Sequence, residues 1–142
     1  ELETGMPLSE VMALYGQDGY RALEADAVNT VVRQHDRMIL AVAGGLVAEP
    51  TTYAQVLERF HTIWIRTSPA EYMQRVRAQG DERPMQGNPR AMDQLKSLLA
   101  IRTPLYEKEQ ARVDTSNKTI PTSLNDLMKE IVRHGFLKSP LA

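Results

Sequence analysis

The run Met38-Ile39-Leu40-Ala41-Val42-Ala43-Gly44-Gly45-Leu46-Val47 constrains the fold more than any other stretch. Five apolar residues stand together between a charged segment and two glycines. A half-exposed strand alternates apolar and polar residues. This run does not, so it predicts a strand over 38–42 that is buried on both faces of a sheet. In open α/β sheets, ligands gather outside the carboxyl ends of the strands. Gly44 and Gly45 fall at that end, where the missing Cβ atoms let backbone N–H groups approach a ligand. A plain turn is the alternative reading of the pair.

The flanking segments supply helices and two further strands. Val11, Met12, Leu14 and Tyr15 predict a short helix over 8–15, and Gly16 suits the left-handed position at its end. Tyr20, Leu23, Ala27, Val28, Val31 and Val32 share one face of a helix over 18–33. Thr52 with Gln55 resembles a capping box and opens a helix to about Arg59. Thr62-Ile63-Trp64-Ile65 is β-branched and aromatic, so it reads as a second strand. Ser68-Pro69-Ala70-Glu71 is the clearest helix start in the chain. That helix runs to about Ala78 and is followed by a loop, a lid over about 79–88. Asn88-Pro89 opens the longest helix, to about Lys108, with a kink expected at Pro104. Residues 111–115 are a third short strand. Ser123 caps a last amphipathic helix over 124–134 with Leu127, Met128, Ile131 and Val132 inward. A loose tail is expected from Gly135 on. This alternation is an α/β order, and three strands are few for so many helices.

Composition narrows the function. The 142 residues suit one domain, and the net charge of −1 does not indicate a nucleic-acid surface. The absence of cysteine excludes disulfides, thiolate metal sites and cysteine nucleophiles. It fits a cytoplasmic location. No apolar run reaches the roughly 20 residues that span a bilayer. The chain opens Glu-Leu-Glu, without a basic leader or an initiator methionine, and is expected to be a piece of a longer protein.

Few residues are placed for chemistry. Arg21 lies among apolar neighbours with Glu24 one turn on, and Arg102 lies between Ile101 and Thr103-Pro104-Leu105. An arginine in such a setting either grips a carboxylate or phosphate in a cleft or pairs with a nearby acid at the surface. Arg75, Arg77 and Arg83 could carry cationic groups from the lid onto a polyphosphate, or simply complement a helix end. His35, His61 and His134 lack metal-ligand spacing, so no metal site and no catalytic residue is expected. Neither Gly-x-Ser-x-Gly, His-Glu-x-x-His nor Gly-x-x-x-x-Gly-Lys-Ser/Thr occurs.

Gly5-Met6-Pro7-Leu8-Ser9-Glu10-Val11, Gly19-Tyr20-Arg21-Ala22-Leu23-Glu24, Ala43-Gly44-Gly45, Arg83-Pro84-Met85 and Arg102-Thr103-Pro104-Leu105-Tyr106 occur in the order and spacing of shikimate kinases. The resemblance implies an α/β fold: a P-loop kinase-like three-layer sandwich with a parallel sheet. Its first strands and phosphate loop would precede Glu1. It further implies that Arg21 and Arg102 bind the shikimate carboxylate and converge on a hollow lined by Gly44 and Gly45. Arg83 would reach nucleotide or CoA phosphates. Ala43 stands where the family has the first glycine of a triplet, and Tyr20 where it has phenylalanine.

Arg83-Pro84-Met85, Asn88-Pro89-Arg90-Ala91-Met92 and Val113-Asp114-Thr115-Ser116 also resemble the kinase-like domain of XRE-type regulators of aromatic-acid degradation. That resemblance implies an effector domain sensing an aromatic acyl-CoA such as benzoyl-CoA. DNA would be bound only through a separate N-terminal helix-turn-helix, no cofactor would be held, and a homodimer is among the expected assemblies. Shikimate kinase, with ATP and Mg²⁺, is the alternative. Without the phosphate loop, the chain as given is expected not to transfer phosphate.

Overall fold

The computed structural model describes residues 5–79 and 89–137. The chain forms two compact units, Glu1–Arg59 and Phe60–Ala142. No helix among the described residues is long and apolar enough to cross a membrane.

The first unit opens with α1, Leu8–Gln34, which is two helices joined at a kink at Gly16. Gly16 has φ 67°, a left-handed conformation that a side chain would oppose. The two predicted helices are therefore both present, and the glycine between them does the expected work. Val28 is fully buried on the second half, and Tyr20, Leu23, Ala27, Val31 and Val32 are half-buried around it. A 3₁₀ turn over Gly44–Ala48 follows, then α2, Pro50–Arg59. Val11 of the first half, with Leu46, Val47, Tyr53 and Val56, is buried in the same unit. Gln55 does not close a capping box. Its amide Nε2 donates to Asn29 Oδ1 of α1 at 2.7 Å, tying the two helices together.

The predicted strand over 38–42 is not formed. The segment runs without regular structure, Ile39 is fully exposed and Val42 is exposed. An apolar run becomes a buried strand only when neighbouring strands accept its backbone groups. Among the described residues no strand pairs with this one.

The second unit carries the sheet: β1, Ile63–Arg66, and β2, Ala111–Asp114, paired in parallel. Ile63 lies opposite Ala111 and Arg66 opposite Asp114. The crossover between them contains α3, Pro69–Ala78, and α4, Ala91–Tyr106. Ser68 caps α3, accepting from the Glu71 N–H at 3.3 Å, with Pro69 in the first turn as expected. Pro104 lies inside α4 and does not end it. Met73, Ala91 and Leu95 form the buried seam of α3 and α4, with Met92 and Leu99 packed against it.

The last helix, α5, spans Ile120–Arg133 and packs against β2. Its cap is Thr119, not Ser123; the Thr119 hydroxyl accepts from the Thr122 N–H at 3.3 Å, and Pro121 sits in the first turn. Leu127 and Ile131 are half-buried, whereas Met128 and Val132, expected inward, are exposed. The residues after α5 are anchored rather than loose as far as Phe136. Its ring stacks on His61 at 4.6 Å and on His134 at 5.2 Å between centroids.

Candidate functional site

In the first unit the structure joins two residues that the sequence singled out separately. Gly45 is buried in the 3₁₀ turn, and the Arg21 guanidinium of α1 lies against it. A Cβ at residue 45 would overlap Arg21 Nη2, with Cζ at 2.9 Å and Nη1 at 3.2 Å. Glycine fits here because a cationic group occupies the side-chain space, so a larger residue would have to displace that group; the backbone conformation itself is ordinary. Gly44 precedes it at the exposed start of the turn.

Arg21 pairs with the acid one turn on. Its Nη1 donates to Glu24 Oε1 at 2.7 Å, and the two side chains are only 13% and 11% exposed. The Tyr20 hydroxyl donates to the other Glu24 oxygen at 3.2 Å, and the Tyr20 ring lies 5.1 Å from Arg21 Cζ. Burial raises the Tyr20 pKa above the usual phenol value; the Glu24 charge and hydrogen bond push the same way. A largely buried guanidinium with one nitrogen committed to a carboxylate keeps its remaining N–H donors for a second anion. The described residues supply none for them.

In the second unit Arg102 lies on α4, half-buried, one turn before Tyr106, and its charge acts on the Tyr106 phenol. Tyr106 stacks on Trp64 of β1 with centroids 5.0 Å apart and planes 13° from parallel. Burial raises the Tyr106 pKa, with Arg102 pulling the other way. Neither Tyr106 nor Trp64 stood out from the sequence as a site residue. The spacing of Arg102 and Tyr106 by four was visible; the ring partner from another element was not. Arg83 lies outside the described residues.

A second network joins the start of α3 to the turn after β2. Glu71 Oε2 accepts from Arg75 Nη2 at 3.0 Å and from the Thr67 hydroxyl at 3.3 Å, and Oε1 accepts from the Asn117 N–H at 2.7 Å. Arg75 also donates from Nη1 to the Thr115 hydroxyl at 3.0 Å and from Nη2 to the Thr115 carbonyl at 3.1 Å. Arg75, expected among lid cations, is thus spent on structure. Asn117 has φ 55°, a left-handed conformation that asparagine tolerates.

The shikimate kinase family profile matches residues 1–134, and the chain belongs to that family. It is 24% identical over 135 residues to a shikimate kinase of Thermus thermophilus, covering 95% of this chain and 73% of that one. It is 28% identical over 134 residues to a shikimate kinase of Geobacter metallireducens, covering 94% and 70%. A solved shikimate kinase from Acinetobacter baumannii, in complex with shikimate, matches with a TM-score of 0.80 at 22% identity, over 97% of this chain and 76% of that one. The α/β shikimate kinase-like fold with a parallel sheet is therefore established. These relatives overturn the reading of the chain as a benzoyl-CoA-sensing domain of a transcriptional regulator. The aryl-CoA and DNA partners attached to that reading are without support.

Proposed function

We propose that the protein is a shikimate kinase, transferring the ATP γ-phosphate to shikimate, and that Arg21, Gly44, Gly45 and Arg102 serve the acceptor. The observation that carries this is the Arg21 guanidinium laid against Gly45 and held by Glu24. A planar cation with donors to spare, beside a turn stripped of side chains, suits a small carboxylate. Gly44 and Gly45 supply close backbone approach, and Arg102 is a second acceptor-binding arginine.

ATP and Mg²⁺ belong to the family's chemistry. The 142 residues contain no Gly-x-x-x-x-Gly-Lys-Ser/Thr, and the described residues hold no group of three or more His, Asp or Glu able to hold a metal. The acceptor-binding roles are therefore the ones assigned to the described residues.

Isothermal titration with shikimate tests the acceptor role. Binding should appear in the wild type and weaken at least tenfold in Arg21→Ala, the effect of about 1.5 kcal/mol or more for a charged hydrogen bond. Coupled ATP turnover with shikimate tests the kinase reading. Wild-type indifference to shikimate in both assays overturns the proposal.

A further inference from the structure

Trp64 is the single tryptophan of the chain. On β1 it shares a face with Arg66, two residues on. Arg66 Cζ lies 5.3 Å from the Trp64 ring centroid. The Arg66 Nε in turn meets Asp114 Oδ2 at 3.4 Å, and Asp114 is its register partner on β2. The indole is therefore held from the strand side. It holds the Tyr106 ring by near-parallel stacking, and Tyr106 follows Arg102 by one turn of α4, with the Arg102 charge acting on its phenol. The sheet thus supports the ring that neighbours Arg102 on α4.

An arginine side chain has many rotamers, and a free one must lose them when an anion binds. A hydroxyl one helical turn away, as that of Tyr106 is, can select one arrangement of the fork, but only if the tyrosine ring itself cannot swing. The indole, stacked face to face on that ring, supplies the restraint. We propose that Trp64 is a positioning residue for Arg102, acting through Tyr106 and presetting the guanidinium for the acceptor carboxylate. The proposal rests on the acceptor-binding role of Arg102 given above. Trp64 touches no reacting atom in it.

The test uses the full chain with Trp64→Leu, Trp64→Phe and Tyr106→Phe. Shikimate and its methyl ester are the probes, because only the first carries the carboxylate. Trp64→Leu should weaken shikimate binding about tenfold and leave the ester unchanged. Trp64→Phe, which keeps a ring to stack on, should stay within about threefold of wild type. Tyr106→Phe keeps the stack and removes the hydroxyl, and should match Trp64→Leu. The second readout needs no ligand: the Arg102 Nε–H resonance, assigned with Arg102→Lys, should broaden or shift in Trp64→Leu and Tyr106→Phe and persist in Trp64→Phe. A wild type that ignores shikimate ends the acceptor reading, and the Arg102 resonance still decides the positioning. An unchanged resonance in Trp64→Leu, or an equal loss of shikimate and ester, overturns the inference. If Trp64→Leu does not fold, Tyr106→Phe decides it by the same criteria.

Discussion

Replacing Gly45 with alanine separates two reasons for a glycine. The Gly45 backbone is not left-handed, so alanine meets no conformational penalty. What the new methyl meets is Arg21: it would overlap Nη2 and stand 2.9 Å from Cζ. The guanidinium is the movable end of a long side chain, so it yields before the turn does. Moving it breaks the 2.7 Å bond to Glu24, where both side chains are nearly buried. A charged hydrogen bond of that kind contributes about 1.5–3 kcal/mol. For a chain of this length that is a fall in Tm of about 2–4 °C per kcal/mol, or about 3–12 °C. Urea unfolding of Gly45→Ala gives the cost directly. The decisive control is the same substitution in an Arg21→Ala background. There the obstruction is gone, and Gly45→Ala should cost less than about 0.5 kcal/mol. Equal cost in both backgrounds, or no cost in the wild type, would refute the steric argument and remove the link between Arg21 and the glycine turn.

Other substitutions address the supports of each unit. Leu46→Ala empties the most deeply buried side chain, 1% exposed, and should cost about 2–5 kcal/mol in urea unfolding. Ser68→Ala removes the cap of α3 and should cost about 1 kcal/mol, read by the same method. Glu71→Ala leaves the Asn117 N–H without its acceptor; hydrogen exchange at Asn117 should accelerate, and Glu71→Gln should retain part of the protection. The hydrogen bonds from Ser116 hold the Asp114 carboxyl below its usual pKa, aided by Arg66. A carboxyl whose folded pKa lies below its unfolded one stabilises fully above the unfolded value. That contribution disappears as pH falls through the folded value. Thermal unfolding between about pH 5 and 2 should therefore be flatter in Asp114→Asn than in the wild type.

What could be read from the sequence divides along a physical line. Local chemistry was legible. Ser68-Pro69 with Glu71 three residues after the cap placed α3 correctly, and Gly16 marked the kink in α1. The second and third strands were found within a residue because their apolar or β-branched runs are bounded by turns. Partnership was not legible. The run over 38–42 has the composition of a buried strand, yet burial is conferred by neighbours that these residues do not contain among themselves. Thr52 and Gln55 have the spacing of a capping box, but Asn29 on another helix takes the glutamine amide. The last helix begins at Thr119-Ile120-Pro121 because a threonine cap and an early proline outcompete Ser123 four residues later. The candidate site divides the same way. Arg21 and Gly45 were each recognisable, but only the fold explains why one demands the other: the side-chain volume that residue 45 lacks is filled by the guanidinium of residue 21. A family motif records such an exchange of space as two separate positions. The physical unit is the pair, so a side chain restored at residue 45 should cost less when residue 21 gives up its guanidinium.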